Sequence, residues 1–257
     1  MASRRTSRRI QRKRKFNKTK FLINLLFIFV LISIAYISGK FIINTAYAVL
    51  ASMEVSNEIK DEEDVNTTEN FLILVNKEHE VPKDYVPKDL VEVNVRFSPG
   101  TAIQQKMMQK TAAEALEALF DQAQNEGIKL YGVSGYRSYD YQKMLYDRKV
   151  SAVGETEANK YVARPGQSEH HTGLAMDVTN GEGESNLLTV SFAETEEGQW
   201  LKENAHKFGF IIRYPEGKEH ITGYNYEPWH LRYVGKEAAQ IIKSRGLVLE
   251  EYLEEFE

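Results

Sequence analysis

The chain has 257 residues, 42% of them hydrophobic, which is enough for one sizeable folded domain or two small ones. Its net charge of −4 is uneven, because residues 1–20 carry ten of the 33 basic side chains and no acidic one. The strongly acidic remainder argues against a nucleic-acid-binding face, and the absence of cysteine excludes disulfides, thiolate zinc sites and a Cys nucleophile.

Residues 21–39 form an uncharged and mostly apolar run between Lys20 and Lys40. As a helix, this run would span roughly 28 Å, close to the thickness of the hydrocarbon core of a bilayer. It predicts a single transmembrane anchor. The basic residues 1–20 then form a cytoplasmic tail, which places the rest of the chain outside the cell membrane.

A cleaved signal peptide is the alternative, because Ala46-Tyr47-Ala48 matches an A-x-A cleavage site. The apolar run is longer than the roughly 7–15 residues of a signal-peptide core, which favours an uncleaved anchor. Both interpretations export the remainder of the chain. Residues 40–70, acidic and poor in apolar side chains towards their end, predict a solvated linker before a folded domain at 71–246.

Hydrophobic periodicity predicts four helices, at residues 103–126, 139–152, 193–207 and 236–244. Ser138 is placed as the N-cap of the second helix, and Gly127, Gly209 and Gly246 are expected where the other three end. Short apolar runs predict five strands, at residues 71–75, 128–134, 174–178, 210–214 and 230–234.

The order of these elements predicts the fold class. Two helices come early and the strands cluster afterwards, which is typical of an α+β domain with a central antiparallel sheet and flanking helices. Residues 247–257 are expected to be an acidic C-terminal tail beyond this domain.

A first candidate for metal binding is the segment S-E-H-H-T-G-L-A-M-D at residues 168–177. A bend at Gly173 would let His170 fold back towards Asp177, so that both contact one ion. A capped turn followed by a strand with a solvent-facing Asp produces the same pattern, so both interpretations stand on these residues alone.

A second candidate is E-P-W-H-L-R-Y at residues 227–233. His230 would supply a third ligand, and Glu227, three residues before it, would lie where it can accept the proton of an attacking water. A surface Glu before a buried Trp, with a core His, explains the segment equally well.

Three motifs in this order resemble the VanY-type D-alanyl-D-alanine carboxypeptidases, which are zinc peptidases of the bacterial cell wall. The motifs are S-G-Y-R-S-Y-x-x-Q at 134–142, P-G-Q-S-E-H-H-T-G-L-A-M-D-V at 165–178, and E-P-W-H-L-R-Y-V-G at 227–235. The resemblance runs from about Phe71 to about Gly246. It implies a single small zinc-peptidase domain of the α+β class.

The resemblance also implies roles for individual residues. One Zn²⁺ per chain would be held by His170, Asp177 and His230, with Glu227 as the catalytic base. By the same resemblance, Arg137 stabilises charge on the scissile carbonyl, and Gln142 and Ser168 lie beside the bound peptide. His171 is assigned no metal role and is expected to tolerate substitution with zinc retained.

The expected function is removal of the C-terminal D-alanine from peptidoglycan stem peptides, by a monomer anchored in the cell membrane with its catalytic domain outside. Two alternatives remain. One is an L,D-carboxypeptidase or endopeptidase acting on the same polymer. The other is an inactive wall-binding module, against which an intact base and arginine argue, because a pure binder needs neither.

Overall fold

The computed structural model describes residues 71–181 and 188–256 of the chain. Within these ranges the fold is α+β, with an antiparallel sheet and flanking helices, as predicted. The strands are β1 (Leu90–Glu92), β2 (Met107–Gln109), β3 (Tyr131–Ser134), β4 (Ala175–Thr179), β5 (Phe210–Tyr214) and β6 (Glu227–Tyr233). The helices are α1 (Lys110–Asn125), α2 (Tyr139–Val153), α3 (Glu155–Ala158), α4 (Glu196–Asn204), α5 (Glu219–Thr222), α6 (Lys236–Arg245) and α7 (Leu249–Phe256).

The central sheet has the strand order β3-β4-β6-β5, and each neighbouring pair is antiparallel. Strands β1 and β2 form a separate two-stranded antiparallel sheet. All five residues of β4 are buried, because this strand lies inside the sheet and within the main apolar core. Helix α1 adds to that core with its apolar face, which includes Leu116 and Leu119.

Local signals in the sequence set several element ends as predicted. The Ser138 side chain accepts a hydrogen bond from the backbone N–H of Tyr141 and so caps α2. Gly246 ends α6 in the left-handed conformation. The helix expected at 193–207 is α4 followed by a 3₁₀ turn that stops at Gly209.

Gly173 makes the bend that the sequence predicts. It has φ of 68° and ends a 3₁₀ turn at Glu169–Thr172, immediately before β4. A side chain at this position would place its Cβ 2.8 Å from Leu90 Cδ2, so both the conformation and the space favour glycine. The turn and the strand are thereby folded back on each other.

Two predicted elements differ in the structure. Residues 72–75 form no strand, because the buried Arg232 guanidinium donates to the carbonyls of Phe71 and Ile73, at 2.8 and 2.7 Å, in place of a neighbouring strand. The helix expected at 103–126 is interrupted, because Ile103–Lys106 form a 3₁₀ helix, Met107–Gln109 pair with β1 as a strand, and α1 begins only at Lys110.

The segment after Gly246 also differs from the expected acidic tail. It forms helix α7, which buries Leu249, Tyr252 and Leu253 in a second apolar cluster with β5 and α6. The acidic residues hid this amphipathic pattern, in which apolar side chains recur on one helical face. The folded domain therefore continues past its expected boundary.

No helix in residues 71–181 and 188–256 is long and apolar enough to cross a membrane. The predicted cytoplasmic tail, the transmembrane segment at 21–39 and the linker at 40–70 lie outside the described residues.

The burial of α7 predicts a stability effect. Leu249 is fully buried, so Leu249→Ala should lower the free energy of unfolding by about 2–5 kcal/mol, the range for a truncated core leucine. Urea denaturation followed by circular dichroism measures this loss. Glu254→Ala, at an exposed position of the same helix, is the control and should change stability by less than about 0.5 kcal/mol. Equal effects of the two variants would contradict the packing of α7.

Candidate metal centre and active site

The centre of the site is set by the pairing of β4 with β6. In this register Asp177 lies directly opposite His230, and Ser134 of β3 lies opposite Asp177 on its other side. His170 comes from the 3₁₀ turn that precedes Gly173. One donor atom from each of His170, Asp177 and His230 lies within 4.8 Å of the other two, and all three side chains are buried.

The donor atoms of these three side chains face one another. The Nδ1 of His230 lies 3.0 Å from Asp177 Oδ1, and the Nε2 of His170 lies 3.3 Å from Asp177 Oδ2. His170 Nδ1 donates to the backbone carbonyl of Gly135 at 2.8 Å, which turns the Nε2 lone pair towards Asp177. Two imidazole nitrogens and one carboxylate oxygen fit a catalytic zinc ion, which takes three protein ligands and leaves one position open.

Burial and neighbouring charges shift the pKa values of His170 and His230 in opposite directions. Burial, reinforced by the Arg137 charge, lowers the pKa of His170 to about 4. Burial would also lower the pKa of His230, but its hydrogen bonds to Asp177 and Glu169 outweigh that effect and raise the pKa to about 9. The two carboxylates therefore favour the protonated form of His230, whereas burial favours the neutral form of His170.

Glu227 lies beside the donor cluster at the start of β6. Its Oε2 is 3.7 Å from His230 Nδ1. Burial is the main reason that the pKa of Glu227 rises to about 7, and the negative charges of Asp177 and Glu169 add to the increase. A carboxyl group with a pKa near neutrality can both accept and return a proton under physiological conditions.

Arg137 follows β3 and reaches the cluster. Its Nη2 donates to Asp177 Oδ2 at 2.6 Å and its Nε donates to Ser134 Oγ at 2.8 Å. Its backbone N–H donates to the His170 carbonyl at 3.1 Å. The guanidinium is therefore fixed next to the candidate metal ligands and supplies positive charge there.

Gln142 and Ser168, the two predicted peptide-contacting residues, line the same cavity of about 840 Å³ as Arg137, Glu227 and the three donors. Gln142 is 1% exposed, and its Nε2 donates to the carbonyl of Ala163 at 2.8 Å. Its Oε1 is buried without a hydrogen-bond partner. Because such a buried acceptor is costly, the amide oxygen is suited to accept a hydrogen bond from a ligand in the cavity.

His171 has a structural task that the sequence did not indicate. It is buried, its Nδ1 donates to the Arg137 carbonyl at 2.8 Å, and its Nε2 accepts from the Gly166 N–H at 3.1 Å. Both ring nitrogens are thus occupied by backbone groups, which agrees with the absence of a metal role. That His171 tolerates substitution with zinc retained stays a prediction, to which the structure adds a cost in stability, because losing the ring leaves buried backbone groups unpaired.

Sequence reasoning missed a buried ionic network below the site. Its four members are Glu169, Arg213, Arg232 and Glu250. A signal was available, because Arg213 and Arg232 each interrupt an apolar strand, and a charged residue in a buried strand requires a buried partner. The identity of those partners, Glu169 and Glu250, has no such signal in the sequence.

The family profile described as "D-alanyl-D-alanine carboxypeptidase", VanY, matches residues 105–236, slightly more than half of the chain. This range holds all seven of the predicted site residues. The chain belongs to the VanY family.

Individual relatives extend this result. A protein of Bacillus subtilis (strain 168), provisionally named carboxypeptidase YodJ, is 52% identical over 192 residues, which cover 75% of this chain and 70% of the relative. The LdcB LD-carboxypeptidase, whose structure is solved, has 53% sequence identity to this chain, and the two structures superpose with a TM-score of 0.67. The match covers 73% of this chain and 87% of the LdcB chain. A mutant of the vancomycin resistance D,D-pentapeptidase VanY, solved in complex with Zn(II), has 38% sequence identity to this chain and a TM-score of 0.58. This match covers 72% of this chain and 99% of the VanY chain.

The VanY-family chain is accordingly a hydrolase with zinc as its cofactor. The donor set of His170, Asp177 and His230 suits this metal, since the hard carboxylate and borderline imidazole ligands match zinc and the side chains converge without rearrangement of the sheet.

The two adjacent histidines should differ in their effect on metal binding. His170→Ala removes a donor atom and should abolish stoichiometric zinc binding. His171→Ala should retain one zinc per chain but lose about 1–3 kcal/mol of stability, because the Arg137 carbonyl and the Gly166 N–H lose their partner. Zinc content by atomic absorption and thermal unfolding of the same samples measure both effects. Loss of zinc in a folded His171→Ala protein would contradict this division.

Proposed function

We propose that the protein is a zinc-dependent D-alanyl-D-alanine carboxypeptidase that removes the C-terminal D-alanine of peptidoglycan stem peptides. One observation carries the proposal: a buried His-Asp-His donor set and a carboxyl group of pKa about 7 line one cavity in a VanY-family domain. The intact carboxyl group argues against a module that only binds the wall, because binding alone does not need a proton acceptor.

In this proposal each side chain has a defined task. Zinc, when held by His170, Asp177 and His230, supplies a Lewis acid that polarises the scissile carbonyl and lowers the pKa of water. Glu227 accepts the proton of the attacking water and returns it to the amine of the leaving D-alanine. Arg137 offsets negative charge on the carbonyl oxygen, an interaction that strengthens as that charge develops.

The cavity residues would orient the peptide. Gln142 Oε1 is available to accept a hydrogen bond from a peptide N–H, since its Nε2 is already committed to Ala163. Ser168 lies on the same wall, next to the turn that holds His170. Holding the peptide this way would keep its carbonyl carbon aligned for attack, which contributes to rate by reducing the entropy lost in the reaction.

L,D-carboxypeptidase activity is the second candidate. It is favoured by the 53% identity to the LdcB LD-carboxypeptidase, higher than the 38% identity to the D,D-pentapeptidase VanY. The same donor set and base would serve both reactions, because the difference lies in the stereochemistry of the residue on the amino side of the cut bond. Substrate shape in the cavity would then decide between them.

For the location, we propose a single-pass membrane protein with residues 1–20 in the cytoplasm, the anchor at 21–39 and a monomeric catalytic domain outside. The basic block, the apolar run and a cell-wall substrate support this arrangement. Recovery of the full-length chain in the soluble fraction of cells would contradict it.

The substrate preference can be tested with purified stem peptides. The zinc-loaded full-length chain should release D-alanine from a pentapeptide ending in D-Ala-D-Ala, and mass spectrometry should show a tetrapeptide product. Release from the tetrapeptide alone would replace the D,D assignment by the L,D one. No release from either peptide, at full zinc content, would favour the binding module.

The base can be tested by one substitution. Glu227→Gln preserves the size of the side chain but cannot accept the proton, so turnover should fall by at least about 100-fold while zinc content stays unchanged. Peptide release and metal content measured on the same preparation separate the two effects. Near-normal turnover of this variant would show that another group is the base.

A further inference from the structure

Glu169 is a buried carboxylate between His230 of the zinc site and a pair of buried arginines. Its side chain is fully buried, as are those of Arg213 on β5 and Arg232 on β6. One oxygen, Oε1, accepts from Arg213 Nε and from Arg232 Nη1, both at 2.6 Å. Two charge-assisted hydrogen bonds to the same atom fix the orientation of the carboxylate.

The second oxygen of Glu169 faces the metal site. Its Oε2 lies 3.4 Å from Nε2 of His230, the ring nitrogen on the far side from Asp177. The Tyr214 ring packs against the same imidazole, with ring centroids 5.0 Å apart, and limits its rotation. His230 is therefore held between two carboxylates, Asp177 at Nδ1 and Glu169 at Nε2.

We propose that Glu169 is a positioning residue that selects the metal-binding tautomer of His230. A carboxylate accepts and cannot donate, so Oε2 requires a proton on Nε2 of His230. In the neutral ring the Nδ1 lone pair then remains for an ion shared with Asp177 and His170, and that ion would replace the proton between Nδ1 and Asp177 Oδ1, which lie 3.0 Å apart. Neutral histidine ligands need this kind of partner at the nitrogen that does not bind the metal.

The rest of the network holds Glu169 in this orientation. Arg213 also forms a bidentate ion pair with Glu250 of α7, in which Nη1 donates to Oε2 at 2.8 Å and Nη2 donates to Oε1 at 2.7 Å. Arg232 Nη2 is occupied by the carbonyls of Phe71 and Ile73. Both arginines are thus committed on their other sides and leave Glu169 one orientation.

Glu250 supplies a matched control. It contacts the same Arg213 guanidinium as Glu169, but the described contacts of its carboxylate are to Arg213 and Asn76 and not to His230. Glu169→Gln and Glu250→Gln each remove one buried negative charge from the network. Both should lower thermal stability for the same reason.

Only Glu169→Gln should change the metal site. Its amide oxygen would remain on the two arginines, so its NH₂ would face Nε2 of His230 and favour the tautomer protonated at Nδ1. Zinc affinity, measured in competition with a chromogenic chelator, should fall about 10–100-fold in this variant and stay within about threefold of wild type in Glu250→Gln.

An equal loss of zinc affinity in the two variants would show that Glu169 has only a structural role, which would overturn the proposal. Unchanged zinc affinity in Glu169→Gln would also overturn it.

Because Glu169→Gln can fail to fold, a second measurement uses the wild-type protein. Long-range ¹H–¹⁵N correlation spectra of the zinc-loaded, histidine-labelled chain should show His230 protonated at Nε2. A proton at Nδ1, with zinc bound at Nε2, would overturn the assignment.

This inference rests on the zinc site of the proposed function. Its readouts are metal affinity and ring protonation, so it can fail while peptide release succeeds, and the reverse can also occur.

Discussion

The antiparallel pairing of β4 with β6 is the constraint on which the rest of the site depends. It places Asp177 opposite His230, and a shift of one residue would turn one of these side chains to the other face of the sheet. The third donor, His170, is joined to β4 through the Gly173 bend, so the positions of all three donors are set by two paired strands and one turn. A rigid sheet thereby supplies the precision that a metal with three protein ligands needs.

The second organising feature is the compensation of buried charge next to the site. Carboxylates and guanidiniums that would each be costly to bury singly are buried together, with Arg213 and Arg232 meeting Glu169 and Glu250. In the cavity beside this network, burial raises the pKa of Glu227, whereas hydrogen bonds to Asp177 and Glu169 raise the pKa of His230. Apolar side chains of α6 and α7 pack in a separate cluster.

Patterns that are local in the sequence were predicted well. Strand β5 was expected at 210–214 and is found there, and the Ser138 cap and the Gly246 stop were read from single residues. The seven site residues were named from motifs, and the structure gathers them around one cavity. Failures occurred where a partner is distant along the chain. Residues 72–75 have the apolar pattern of a strand, but the carbonyls of Phe71 and Ile73 accept hydrogen bonds from Arg232, about 160 residues away. No local pattern in the sequence encodes that contact.

The pairing of Arg213 with Glu250 has a consequence for the order in which the enzyme is assembled. Because synthesis begins at the amino end, the zinc donors and both arginines are made before α7. Until then Arg213 lacks one of its two carboxylate partners, and the buried ionic network is incomplete. The buried charges are therefore fully compensated only once α7 is in place, so a nascent chain stalled before that helix would carry a guanidinium with one of its two carboxylates missing.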